Sequence, residues 1–245
     1  MRKFLTYSLL ALLLLPIGCH KETTSVLNGN ITPNDFLSEK NYDKLTVEIQ
    51  YVTGNAPTAG TVSNLQNFLQ QRLNKSIGIT ITQNEIASPG KSLFSVEDVQ
   101  QIEKANRTQN TNNKVLTAYL FFADGDYSAN VGSSKVLGFA YGSSSMAIFE
   151  KTIRGYAGGI GQPTVTVLES TVLLHEFGHI MGLVNNGTPM QTAHQDAANG
   201  KHCNDQNCLM YYTVETSDVV SNLTGGNIPV LNTACINDLK ANGGK

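Results

Sequence analysis

The residues best able to do chemistry in this chain are His175, Glu176 and His179, in the run His175-Glu176-Phe177-Gly178-His179 with Gly182 three residues on. Two histidines four apart share one face of a helix, one turn from each other. At that spacing two imidazoles can ligate a single zinc ion. A glutamate beside the first histidine can stand next to the metal without ligating it and take a proton from water activated there. The flanks are apolar, Val172-Leu173-Leu174 before and Ile180-Met181 after, as a buried active-site helix requires. Catalytic zinc usually has three protein ligands and one open position. The chain has five histidines, and His20 lies in an N-terminal tether. The third ligand is therefore expected to be His194 or His202, or an oxygen ligand such as Asn185 or Asp196. A rival layout takes a glutamate ligand from a later helix. Glu215 is the only glutamate downstream of the motif, and the early glycine and nearby Met210 argue against that layout.

These residues need a scaffold, and the hydrophobic pattern supplies one. Lys44 to Val52 alternates apolar and polar and is rich in β-branched residues, which predicts a strand. Residues 61–74 place Val62, Leu65, Phe68, Leu69 and Leu73 at helical spacing. Ile77 to Thr82 reads as a second strand. Ser95 with Asp98 reads as a capping box opening a helix to Asn106. Val115 to Ala123 is an apolar, central strand, ended by a turn at Asp124-Gly125-Asp126. Val136 to Tyr141 and Met146 to Phe149 are short strands joined by Gly142-Ser143-Ser144-Ser145. Pro163 to about Leu183 carries the histidine pair, and Gly182 can end that helix in a left-handed conformation. The rest is loop-rich, with a last helix over Leu231 to Ala241. This order predicts a three-layer α/β (α+β) domain with a mixed twisted sheet and a loop-rich C-terminal part.

At 245 residues the chain is long enough for one large domain, and with only 15% charged residues and a net charge of −2 it has no basic block. That excludes the electrostatic footprint of a nucleic-acid binder. Arg2 and Lys3 precede an apolar run, Phe4 to Leu15, too short for a comfortable membrane span. The sequence that follows, Leu15-Pro16-Ile17-Gly18-Cys19, resembles a bacterial lipobox, although Pro16 stands where that pattern usually has leucine. The resemblance implies cleavage before Cys19, acylation of its thiol, and an exported lipoprotein on the periplasmic face or the cell surface, held by acyl chains alone. The expected divisions are a signal segment at 1–18, a polar tether at 19–41 and a catalytic domain at 42–245. Beyond Cys19, the chain has Cys203, Cys208 and Cys235. An exported compartment permits disulfides, so one bridge and one free thiol is the simplest expectation, with Cys203–Cys208 the local candidate and Cys208–Cys235 or Cys203–Cys235 the alternatives.

His175-Glu176-x-x-His179-x-x-Gly182 resembles the signature of metzincin metallopeptidases. In that clan a third ligand follows the glycine by three residues, a position held here by Asn185. His202-Cys203-x-x-x-x-Cys208-Leu209-Met210 resembles the corresponding segment of archaemetzincins. This resemblance implies that His202 is the third ligand, with His194 the alternative, and that about 17 residues (Asn185 to Lys201) are inserted before it. It also implies that Met210 forms the Met-turn, an apolar floor beneath the metal. Tyr212, at the offset of an oxyanion-stabilising tyrosine in related metzincins, becomes a second catalytic candidate, and Tyr211 a structural one. Archaemetzincins hold a structural zinc with their cysteines and a further C-x-x-C pair. This chain lacks that pair, so one catalytic zinc is expected and a disulfide in place of a second ion. The strand Met146–Phe149 is the expected upper rim, on which metzincins bind an extended peptide.

The function these readings imply is a zinc-dependent peptidase acting on peptides or proteins, with Glu176 as general base. The alternative is a surface lipoprotein that binds proteins or glycans and has lost catalysis, a reading that rests on Asn185.

Overall fold

The computed structural model describes residues 31–223 and 226–245. Cys19 and the signal segment lie outside them. In chain order the elements are α1 (Pro33–Leu37), β1 (Lys44–Val52), α2 (Ala59–Arg72), β2 (Gly78–Ile86), β3 (Leu93–Phe94), α3 (Val96–Asn106), β4 (Val115–Phe122), β5 (Asp126–Tyr127), β6 (Gly138–Tyr141), β7 (Ser145–Ile148), α4 (Glu150–Tyr156), α5 (Val165–Ile180) and α6 (Thr233–Ala241). Two 3-10 turns, Tyr212–Glu215 and Ser217–Leu223, precede α6. Five strands form the main sheet in the order β2-β1-β4-β7-β6. All neighbours are parallel except β6 and β7. Among the described residues no helix is long and apolar enough to cross a membrane.

The central strand explains the layering. Leu116, Ala118, Leu120 and Phe122 of β4 join the larger core, with Leu65 and Leu69 of α2 and Leu168, Val172 and Leu173 of α5. Tyr119 and Phe121 join a smaller core on the opposite face, with Phe94 and with Val99 of α3. A strand buried on both faces reads as a continuous apolar run, which is why Val115 to Ala123 lacks clean alternation. Thr58, Ser95 and Thr164 cap α2, α3 and α5 by accepting from Thr61, Asp98 and Val167 N–H groups. Each cap satisfies an orphan donor of the first helical turn.

Two expectations are corrected here. The tether was to extend to residue 41, but α1 lies within it and buries Phe36 and Leu37 completely. The buried Lys75 Nζ donates to the carbonyls of Asp35, Ser38 and Tyr42, fixing this segment to the domain. A polar average over twenty residues conceals a five-residue helix of this kind. The rim strand was to be Met146–Phe149. That strand, β7, is paired on both sides and fully buried, and the sheet edge is β6. Pairing order, not composition, decides which strand is at an edge.

Glu150 of α4 and Glu169 of α5 form a buried carboxyl pair, both fully inaccessible. Glu169 accepts from the Thr58 N–H at 2.9 Å, and Arg154 sits 2.5 Å from Glu150. Burial first, and the neighbouring Glu169 second, push the Glu150 carboxyl up to about 9. With a folded value above the unfolded 4.5, the folded state holds a proton that the unfolded chain releases. Stability therefore falls as pH rises from about 4.5 to about 9 and levels off above. We expect Glu150→Gln to flatten that slope in thermal unfolding at pH 5, 7 and 9. An unchanged slope would show that this pair does not set it.

Candidate metal centre

The helix α5 is buried almost all round, including His175 and Glu176. It stops at Gly182, whose φ is +76° and whose missing Cβ would lie 2.6 Å from Pro33 Cγ and 2.7 Å from the Thr188 nitrogen. Glycine is needed there both for the left-handed backbone and for the close approach of α1. Thus the N-terminal segment read as tether props the end of the histidine helix. Val184 follows with φ 55°, a conformation that a β-branched residue adopts only under constraint.

From this scaffold three imidazoles converge. His175 Nε2 and His179 Nε2 are 3.0 Å apart. The His202 ring lies 5.3 Å from that of His175 and 5.1 Å from that of His179, centroid to centroid. His175 donates Nδ1–H to the Leu209 carbonyl at 2.7 Å, and His202 donates Nδ1–H to the Asn199 carbonyl at 2.6 Å. Each such bond fixes the tautomer and leaves an Nε2 lone pair facing the centre, as metal-ligating histidines require. Asp196 builds the turn that presents His202, accepting from Ala198 N–H and from the Asn199 side chain. Burial is the first cause of the His175 value, which falls to about 4, so its ring is neutral. For His202 burial opposes the charge, but Glu215 outweighs it and raises the value.

Glu176 points into the same space. It is fully buried, and neither carboxylate oxygen makes a well-formed hydrogen bond among the described residues. Burial and then the charge of Glu215 raise its carboxyl well above the usual range, while the backbone of Ala140 pulls the other way. A cavity of about 280 Å³ opens here, lined by Glu176, His179, His202 and Glu215 and, from the sheet edge, by Phe139 and Ala140 of β6. Met210 packs against the same helix, so tightly that a Cβ on Gly178 would meet its Sδ at 2.2 Å.

The remaining candidates are elsewhere. Asn185 is exposed, with its carbonyl accepting from Lys201 Nζ. Tyr212 opens the 3-10 turn, is 37% exposed, and sets its ring 4.7 Å from that of Tyr211 at a tilt of 54°. It does not line the cavity.

His194 belongs to a second cluster, buried with Cys203 and Cys235, whose ligand atoms all lie within 4.8 Å of one another. The expected disulfide is corrected: Cys203, Cys208 and Cys235 are all free and buried. Cys208 Sγ is 3.7 Å from Cys235 Sγ, and His194 Nδ1 is 3.4 Å from Cys203 Sγ and 3.9 Å from Cys235 Sγ. His194 donates Nε2–H to Asp238 at 2.7 Å. Backbone N–H groups of Met210 and Asn232 point at Cys208 Sγ, and the Asn232 side chain at Cys203 Sγ. The Cys208 and Cys235 thiols hold Cys203 far below the usual thiol range, and Cys203 pushes Cys208 up to about 11 against the opposing effect of Cys235. The sequence reading missed Asp238 and the orienting carbonyls of Leu209 and Asn199. Only the first had a signal, since Asp238 lies three residues after Cys235, on the same helix.

No family model matches the chain, and no curated protein does. Among solved structures, that of an archaemetzincin from Methanopyrus kandleri matches with a TM-score of 0.53 at 15% identity, over 82% of this chain and 96% of that one. A zinc-dependent peptidase from Methanocorpusculum labreanum matches with a TM-score of 0.48 at 12% identity, over 79% of this chain and 99% of that one. The mixed α/β fold, a mainly parallel sheet between helices, is similar to that of archaemetzincin.

Proposed function

We propose that the protein is a zinc-dependent peptidase whose metal is held by His175, His179 and His202. The observation that carries this reading is the convergence of three Nε2 atoms, two of them fixed by Nδ1–H bonds to carbonyls, beside a buried carboxylate that makes no well-formed hydrogen bond among the described residues. The similarity of the fold to that of an archaemetzincin supports it, together with the resemblance of the segments His175–Gly182 and His202–Met210 to that family's motifs. Zinc, when bound, supplies a Lewis acid that polarises a carbonyl and makes water acidic near neutral pH.

In this reading Glu176 takes the proton of the attacking water and delivers it to the leaving amine. A carboxylate placed beside activated water can perform both halves of that transfer. The edge strand β6 accepts an extended peptide as an added strand, placing the scissile bond over Glu176. Met210 supports the imidazoles from below, and Tyr212 takes no part. We propose a second, structural zinc held by Cys203, Cys208, Cys235 and His194, with Asp238 orienting the imidazole. This replaces the single ion anticipated from the missing C-x-x-C pair. We also propose export and acylation at Cys19, which spaces the domain from a membrane by a tether ending before α1.

The test is a mixed peptide library incubated with zinc-loaded protein, chelator-stripped protein and the His202→Ala variant. We expect cleavage by the first alone, restored to the second by added zinc. Full zinc retention with no cleavage of any peptide would replace this reading with that of a non-catalytic binding lipoprotein.

A further inference from the structure

Glu215 is a residue whose position neither the peptidase reading nor the motif accounts for. It closes the 3-10 turn Tyr212–Glu215, and its Oε1 lies 3.0 Å from His202 Nε2, 3.2 Å from His179 Nε2 and 3.8 Å from His175 Nε2. With the 3.0 Å separation of His175 and His179, these four atoms outline a tetrahedron. Four donors arranged tetrahedrally at zinc bond lengths stand roughly 3.3–3.5 Å from each other. His202 Nε2 is buried without a well-formed hydrogen bond although a carboxylate oxygen is 3.0 Å away.

We propose that Glu215 is the fourth protein ligand of the metal in the resting protein, and that its side chain must swing aside before a peptide can be cut. This rests on the three-histidine reading and adds to it a built-in latch. While the carboxylate is in place it occupies the position that solvent must take for Glu176 to act on it. The backbone cannot supply the release, because the Glu215 carbonyl accepts from Leu137 N–H at 2.8 Å and Thr216 bridges to Val136. Those contacts fix the turn to the chain that runs directly into β6. The side chain can supply it: it is 35% exposed and borders the cavity, so rotation about its own bonds carries the carboxylate into open space. A peptide carbonyl arriving along β6 is the natural competitor for the vacated place.

The test compares the parent with Glu215→Ala and the near-isosteric Glu215→Gln, each loaded with zinc and, separately, with cobalt(II) as a spectroscopic probe. Zinc affinity is read by chelator competition, and the open position by azide titration of the cobalt absorption bands. If Glu215 is a ligand, both variants lose about tenfold or more in zinc affinity, change the cobalt spectrum, and bind azide at least tenfold more tightly than the parent. If affinity and spectrum stay within twofold of the parent and azide binds all three alike, Glu215 is not a ligand. His175→Ala and His202→Ala, run alongside, separate the two levels. Loss of metal in those variants with none in the Glu215 variants overturns the latch alone. Metal content undiminished from the parent, ion for ion, in every variant overturns the three-histidine reading and the latch with it.

Discussion

Glu176→Gln is expected to leave the protein folded and zinc-loaded while removing nearly all peptide cleavage. The carboxamide has the shape of the carboxylate, and the site is fully buried, so packing against α5 and β6 is preserved. No hydrogen bond is lost, because the carboxylate makes none that is well formed among the described residues. What disappears is the ability to accept a proton and return it. That function contributes about 10²–10⁴-fold in rate when a positioned side chain performs it. Because burial disfavours the ionised acid, the variant should be at least as stable as the parent. The informative comparison is kcat/KM on one peptide beside zinc content and thermal midpoint. A variant that keeps zinc and cuts within tenfold of the parent rate would move the base to another residue.

Cys235→Ser is expected to be the most destabilising of the conservative substitutions. Two buried thiols and an imidazole within mutual reach, with a third thiol 3.7 Å from one of them and no disulfide, are poorly explained as core packing alone. The His194–Asp238 bond turns the other ring nitrogen toward sulfur, the arrangement found where a carboxylate orients a metal-bound histidine. Structural zinc contributes about 10–16 kcal/mol in isolated zinc-finger peptides. Here the surrounding core is already large, so a loss on the order of 5 kcal/mol, or about 10–20 °C in Tm, is the expected scale. Metal analysis should give two ions per chain in the parent and one in the variant, with the remaining ion still removable by His202→Ala. One ion in the parent, and an unchanged Tm in Cys235→Ser, would dismiss the second centre.

The parts of this molecule that could be read from the sequence are those governed by local geometry. Helical periodicity puts His175 beside His179 whatever the fold, and the Ser95–Asp98 box opens its helix where expected. The third histidine was harder, because it comes from a loop. Spacing alone left His194 and His202 equivalent, and only the turn built by Asp196 and Asn199 brings His202 to the other two. Glu215 was weighed as the ligand of a different layout. Its approach to all three imidazoles depends on how the 3-10 turn is tied to Leu137, a contact between distant parts of the chain. The disulfide expectation failed for a chemical reason. Pairing an odd set of cysteines with each other ignores that a histidine can complete the set. The rim strand failed for a topological one, since β6 and β7 have similar compositions and only the pairing order distinguishes them.

His202 and Cys203 are joined by a single peptide bond, yet one faces the histidine centre and the other the thiol centre. With an ion on each side, neither can be seated without restricting the backbone torsions that the other needs. The ion that arrives first immobilises the link and so spares the second part of its ordering entropy. Loading is then cooperative, and the coupling is reciprocal: the factor by which the thiol-bound ion tightens the catalytic one equals the factor in the opposite direction. A metal buffer that strips either centre would therefore loosen its neighbour.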